Sequence, residues 1–467
     1  MWLLSACVLL LLTTAGSLEA QPGQSPFSPT AGSVPGGTAT TGVRHLTLHD
    51  AISMGLRYNL GVIEGEENRN AARAQRLRVL SDLLPQVSVG ISENGTQTSR
   101  AGLGITTAFV PAVIGPFSYS TAQVTLNQTL FNVESIHRLR AARTAEQAVA
   151  LTYADTLDVV TLTIGNAYLQ IIEANSRVAA TEAQVQNAQA LYDQAVAAFE
   201  AGTSPRIDVT RTSVQLHTER YNLSVARNNL AIAKLNLSRA IGLPLGQAFD
   251  LADRVPYVDL DPQNIDEALR TAYSSRSDLR AALRSVESAE QQLAVAGAER
   301  YPSLAVSGAY GLQGTTFRRP DSVFSLVAVV HVPVFTGGRI ESELSEAKAS
   351  LQQRQAEAEN LRGQIDYDVR TALLNLQSAK EQVAVARQNV DLSNENLTRS
   401  RERFAAGVAD SVEVVQAQQS VSSANDQYVA GVYSHNLAKL QLARALGVAQ
   451  ASYSDYLAVH DEERARE

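Results

Sequence analysis

No grouping of residues in this sequence supplies a catalytic centre. The seven histidines are scattered and form no HExxH pattern, the helical spacing that would present two imidazoles to one zinc ion. Cys7 is the only cysteine, so disulfides within the chain and thiolate clusters are excluded. No GxxxxGK[ST] loop, nucleophile elbow or Rossmann fingerprint occurs. Asp and Glu are plentiful on long helical stretches, where a carboxylate ordinarily solvates a helix face. The sequence therefore predicts no enzyme, no cofactor and no metal.

The informative residues lie at two breaks in long helices, Phe199–Asp208 and Phe404–Glu413. Gly202 and Gly407 stand where each helix must stop and turn, and glycine takes positive φ there without a Cβ penalty. Ser204-Pro205 and Asp410-Ser411 can then cap and start the returning helices. On residue types alone these are two helical hairpin turns, each followed by a carboxylate, Asp208 and Glu413.

The elements that position these turns follow from composition and order. Charged residues make up 18% of the 467 residues and aromatics 6%, a mix that favours long helices packed through small side chains. With a net charge of -8 and no basic stripe, nucleic acid is not an expected partner. Residues 1–20 read as a secretory signal, and 21–43, rich in Pro, Gly, Ser and Thr, as a disordered linker. Residues 450–467 read as a C-terminal tail. Beyond the signal no apolar run reaches the roughly 20 residues of a membrane helix. A membrane could then be crossed only by β-strands.

An internal repeat organises the rest. Leu230–Pro244 and His435–Ala449 share Lys234/Lys439, Leu237/Leu442, Arg239/Arg444 and Gly242/Gly447 at an offset of 205. The same offset aligns Phe199 with Phe404, while Leu84-Pro85 aligns with Tyr301-Pro302 at 217. The repeats span 44–260 and 261–449, each ordered helix, two strands, very long helix, break, helix. The first should begin at a Thr47/Asp50 capping arrangement and the second at Asp261-Pro262. Strands are expected over Gln86–Gln97, Tyr119–Phe131, Ser303–Thr315 and Ser322–Phe335, apolar and polar residues alternating. Charge is largely kept to their loops, at Arg100, Arg318, Arg319 and Asp321, as in hairpins between lipid and a wet lumen. Residues 132–198 and 336–403 lack proline, and Ile340, Leu344, Ala347, Leu351, Ala358, Ile365 and Ala372 keep a coiled-coil register. About 67 such residues make a rod about 100 Å long, which cannot bury its seam inside one chain.

Four strands are too few for a closed barrel, and open edges in lipid are costly. A cyclic oligomer satisfies both the edges and the seams; physics alone allows a dimer, trimer or tetramer. The order of elements, the two Phe-x-x-Gly breaks followed by Asp208-Val209 and Glu413-Val414, the Arg276-Ser277-Asp278-Leu279 segment and the AIGLP/ALGVA helix ends resemble the TolC-like outer-membrane efflux family over about residues 44–449. The resemblance implies a mainly α chain with a transmembrane β-barrel portion. Three chains would form a twelve-stranded barrel in outer-membrane lipid, continuous with a long coiled-coil helical barrel in the periplasm. It implies a passive exit duct of a tripartite efflux or type I secretion system, joined by a periplasmic adaptor (a membrane fusion protein) to an inner-membrane pump. It further implies a gate at Asp208, Glu413 and Gln416 and adaptor docking at Phe199, Gly202, Ser204, Phe404, Gly407 and Asp410. Two positions depart from the family pattern: Gln416 replaces an acidic residue, and Ala409 an arginine that would pair with Asp208. The latch is then expected through Arg206, Arg211 or Asp410. The competing reading is a periplasmic coiled-coil scaffold or adaptor-like protein whose strands form a soluble domain.

Overall fold

In a computed structural model, residues 32–107, 109–253, 257–260, 264–315, 320–406, 408–409 and 411–457 are described. The first repeat runs β1 (Arg44–Leu46), α1 (Leu48–Tyr58), α2 (Leu60–Ser81), β2 (Gln86–Ser99), β3 (Val113–Phe131), α3 (Val133–Glu200), α4 (Arg206–Ile241) and β4 (Phe249–Leu251). The second runs α5 (Ile265–Ser275), α6 (Ser277–Ala298), β5 (Ser303–Gly314), β6 (Asp321–His331), α7 (Arg339–Ala405), α8 (Ser411–Ala445) and α9 (Ala449–Leu457).

Local chemistry sets these boundaries. Thr47 and Asp50 form a reciprocal capping box on α1, satisfying two amides the first turn cannot. The expected single first helix is in fact two: Asn59 leaves helical geometry and its side chain caps Gly61 N at 2.9 Å to start α2. Asn264 caps α5, so the start expected at Asp261-Pro262 moves; those two residues lie outside the described ones. The last strand stops at His331 rather than Phe335, and Val334 and Phe335 are exposed in the connection to α7. The linker expected over 21–43 is not free throughout. From Ser33 onward it is strapped down, with Ser33 Oγ donating to Ala240 O and Gly36 N to Gly242 O. Gln247 clasps the same arm, its Oε1 accepting from Thr40 N at 2.7 Å and its Nε2 donating to Gly42 O at 2.6 Å.

Strands β2, β3, β5 and β6 form one antiparallel sheet in that order, with β2 and β6 at its edges. The register sets Val87, Val89 and Ile91 level with Leu126, Val124 and Ala122, then Gly308, Tyr310 and Leu312, then Leu326 and Phe324. This apolar face is open: Val89 is 73% and Phe324 81% exposed. The opposite face of the first hairpin is polar, with Ser88 and Thr125 hydroxyls 2.6 Å apart and Ser92 and Thr121 2.7 Å apart. Strand β6 breaks the alternation, since Val323, Val327 and Val329 share that second face with Ser325.

The rods continue directly from the sheet, Asn132 capping α3 one residue after Phe131. An 18-residue stretch of α3 reaches a mean hydropathy of 1.2, although no such run was expected after the signal. Core packing accounts for it: α3 gives Val160, Ile164, Tyr168 and Ile171 to a core with Leu46, Phe249, Leu237 and Ile241. The second core places Ile365, Val369 and Leu376 with Leu442 and Leu446, the residues 205 positions on. The repeat is thus a repeat of cores. Arg276, 5% exposed, spans α5 and α6 and pairs with Asp278 at 2.6 Å and Asp368 of α7 at 3.0 Å.

The repeat is imperfect at its lysines. Lys234 reaches Phe249 O and the Asp250 carboxylate at 3.0 and 2.7 Å. Lys439 is buried and donates to Val258 O at 3.1 Å. One helical turn before it, His435 is fully buried under the Tyr257 ring, 4.7 Å between centroids. Burial, then the Lys439 charge, push this imidazole down to about 4. Between pH 6.5 and 4 the unfolded chain therefore takes up a proton that the folded chain refuses, and stability falls as pH drops through that window. Thermal midpoints followed by circular dichroism should decline over it in the native chain, and the slope should flatten in His435→Leu. A slope unaltered by the substitution would assign it to other groups.

Candidate functional site

The two breaks become two helical hairpin turns. After α3, Gly202 takes φ +72°. Gly202 N donates to Phe199 O at 2.9 Å and Thr203 N to Ala198 O at 2.9 Å, the paired bonds that close a helix through a left-handed residue. After α7, Val408 N donates to Arg403 O at 3.0 Å, the same bond 205 residues on. Gly407 and Asp410 themselves lie outside the described residues. Phe199 is 43% exposed at its turn, whereas Phe404 is half-buried against Leu191, Leu397, Val414, Ala417 and Val421.

Asp208 sits in the first turn of α4, 7% exposed, where the helix N-terminus favours a negative charge. Its Oδ2 accepts from Ser204 Oγ at 2.6 Å within the same turn. Its Oδ1 accepts from Ser411 Oγ, also at 2.6 Å, at the start of α8. One carboxylate thus ties the two hairpins together. Arg211 approaches Oδ1 only to 3.8 Å. Of the expected replacements for the missing arginine, Arg211 makes a long ion pair with Asp208, and the short bond comes from Ser411. The sequence marked Ser411 as a helix starter; nothing in its spacing revealed that it faces Asp208 across 203 positions.

The structure does not gather the three expected gate residues at one point. Glu413, in the first turn of α8, pairs with Arg403 Nε at 3.1 Å across its own turn. Gln416 is exposed one turn further. Asp208 and Ser204 come together with Ser411, and Glu413 forms a separate pair with an arginine that sequence reasoning missed. His45 and His49 are four residues apart but fall on β1 and α1, and His49 Nδ1 meets Tyr453 Oη at 2.7 Å.

Hydrogen bonds to a charged acceptor contribute about 1.5–3 kcal/mol. Ser411→Ala should therefore loosen the first turns of α4 and α8 by about that amount while the two cores stay intact. Hydrogen exchange at residues 206–212 and 411–417 measures this; unchanged protection would show that the tie holds nothing.

Known proteins align with this arrangement. The family profile described as "Outer membrane efflux protein" matches residues 55–243 and 268–448. "Outer membrane protein TolC" of Salmonella enteritidis is 22% identical over 392 residues, covering 81% of this chain and 77% of that protein. The solved outer-membrane channel OprN superposes with a TM-score of 0.76 at 18% identity, over 86% of this chain and 90% of its own. Outer membrane protein VceC of Vibrio cholerae gives 0.74 at 18%, over 86% and 96%.

Proposed function

The chain belongs to the outer membrane efflux protein family, and on that premise we propose that it is the passive exit duct of a tripartite efflux or type I secretion system. The observation that carries this is the open sheet. Its apolar face is exposed, its opposite face is largely polar in the first hairpin, and strands β2 and β6 leave their outer edges unpaired. In lipid each unpaired peptide group costs several kcal/mol. Closing β6 of one copy on β2 of the next removes both edges, and three copies give a twelve-stranded barrel. The polar face then lines a lumen that conducts, and no residue needs to do covalent chemistry.

The internal repeat supports a particular packing of copies. Within the chain α3 meets α8 through Arg177–Asp426 at 3.3 Å, Asn166–Tyr433 at 2.7 Å and Gln184–Ser422 at 3.1 Å. Moved by the offset of 205, these become Gln382–Tyr221, Thr371–Asn228 and Asn389–His217, on α7 and α4. Tyr221 is 70% exposed, and Val214 and Ile207 follow it at spacings of seven, also exposed. This is an unpartnered seam of the coiled-coil kind. In the proposed trimer α4 of one copy lies against α7 of the next. The only native cysteine is Cys7, so Tyr221→Cys with Gln382→Cys should give a covalent trimer under mild oxidation. Monomers alone, from membranes that contain the protein, would refute this contact.

The ring of hairpin tips then forms the periplasmic entrance. Asp208 and Glu413, repeated around it, favour cations, with the uncharged Gln416 beside them. Phe199, Gly202, Ser204 and Phe404, with Gly407 and Asp410, offer the surface for a periplasmic adaptor (membrane fusion protein), through which an inner-membrane pump supplies energy. The duct itself should appear as a heat-labile, SDS-resistant oligomer extracted from outer membranes by detergent. In planar bilayers it should conduct with a preference for cations, and Glu413→Gln should lower that preference about twofold or more, since each ring of carboxylates sets part of the field. A purely water-soluble monomer, or conductance indifferent to both carboxylates, would sink the duct and the gate respectively.

A further inference from the structure

The two repeats differ most in charge where the rods meet the sheet. Residues 68–82 of α2 and its end, with 135–150 of α3, carry seven arginines and two carboxylates. The equivalent stretches of the second repeat, 285–299 and 339–354, carry three basic and six acidic residues. On a chain of net charge -8, this is a local reversal confined to one repeat.

The basic stretch encloses a groove of about 660 Å³ between α2 and α3, lined by Arg76, Leu80, Leu139, Arg140, Arg143 and Glu146. Arg76 and Glu146 pair at 2.5 Å across it and fix its width. Arg140 and Arg143 are exposed, one helical turn apart, and among the described residues no ion pair engages either. Leu80 stands six residues before the first residue of β2, and Leu139 eight after the last residue of β3. At 1.5 Å per helical residue the groove opens about 10 Å beyond the strands, at the depth where the headgroups of one leaflet lie. Leu77, beside Arg76, and Leu84, between the groove and Val87 in the chain, are exposed.

Paired guanidiniums match a phosphate through forked hydrogen bonds, and exposed leucines suit the acyl end of an amphiphile. We propose that this groove binds the phosphate headgroup of an anionic phospholipid of the periplasmic leaflet, one at each copy's first repeat. The inference rests on the duct reading for the placement of the sheet in the membrane.

The test uses the full chain purified as an oligomer in dodecyl maltoside. Its heat-dissociation midpoint is measured with phosphatidylglycerol, phosphatidylcholine or inorganic phosphate added. Phosphatidylglycerol should raise the midpoint by about 4 °C more than phosphatidylcholine. The double variant Arg140→Gln, Arg143→Gln should lose at least half of that difference, and Arg354→Gln in the second repeat should keep it. Equal effects of the two lipids, or a double variant that keeps the difference, overturn the proposal. So does inorganic phosphate acting as well as the lipid, which would make this a free-anion site. A double variant that alters ion selectivity but not the lipid response would put these arginines in the lumen, also overturning it. Failure to find any membrane oligomer would sink the duct reading instead.

Discussion

The constraint on which the structure depends is that a peptide group in lipid must find a hydrogen-bond partner in protein. One chain brings four strands, and its sheet ends at β2 and β6 with a row of unsatisfied groups on each. Among the described residues no further strand pairs with either edge: β3 leads at once into α3, and β6 through a short connection into α7. In the proposed trimer, closure by further copies is decided at the sheet, yet its consequences extend along the whole rod. Were the sheets closed in that way, α3 and α7 would stand in a ring and the seams each chain leaves open would acquire neighbours. The tips, about 100 Å away by helical rise, would then converge because the strands did.

The repeat would let copies of one chain make the near-equivalent contacts of the proposed ring. Core residues recur at the same offset, Val160 with Ile365, Ile164 with Val369 and Leu237 with Leu442. In the proposed trimer, contacts within a chain would thereby serve as templates for contacts between chains. Departures from the repeat are concentrated where the two halves meet different surroundings. The first hairpin has the longer strand, 19 residues in β3 against 11 in β6. Lys234 has a carboxylate partner, while Lys439 sits buried beside an imidazole. These differences have a cost: a buried lysine with a neutral acceptor is held down to about 8, so part of the folding energy opposes its charge.

Much of this was legible because it is written in period and order. Alternation found the strands, the absence of proline and the spacing of seven found the rods, and the glycines found both turns. Their boundaries moved by a few residues where a cap chose between neighbours, as Asn264 did. What could not be read was any contact set by three-dimensional register. The strap from Ser33 to Gly42 looked like a flexible linker by composition, yet the Ser33 hydroxyl found a partner at Ala240 and its backbone found partners at Gly242 and Gln247. Val327 and Val329 spoiled a clean alternation because β6 is an edge whose second face cannot be known from one strand. The pairing of Asp208 with Ser411 depends on α4 and α8 starting at one level, which sequence separation hides.

That pairing changes what kind of latch the tip can have. An arginine at 409 would bind Asp208 as one charge binds another, and removing one member of a buried pair costs about 3–5 kcal/mol. With Ala409 the carboxylate instead accepts from two hydroxyls at 2.6 Å, while Arg211 stays at 3.8 Å. Such bonds contribute about 1.5–3 kcal/mol, and a neutral donor is barely screened by salt. The Glu413–Arg403 pair lies within the second hairpin. In the proposed entrance the tie at the tip is therefore made by a hydroxyl on a carboxylate, alongside the Gln419–Gln215 bond of α8 with α4 at 3.4 Å and the α3–α8 contacts further along the rods. A docking partner that supplies Asp208 with another donor, or Ser411 with another acceptor, would compete with that one bond directly, leaving the contacts further along the rods in place.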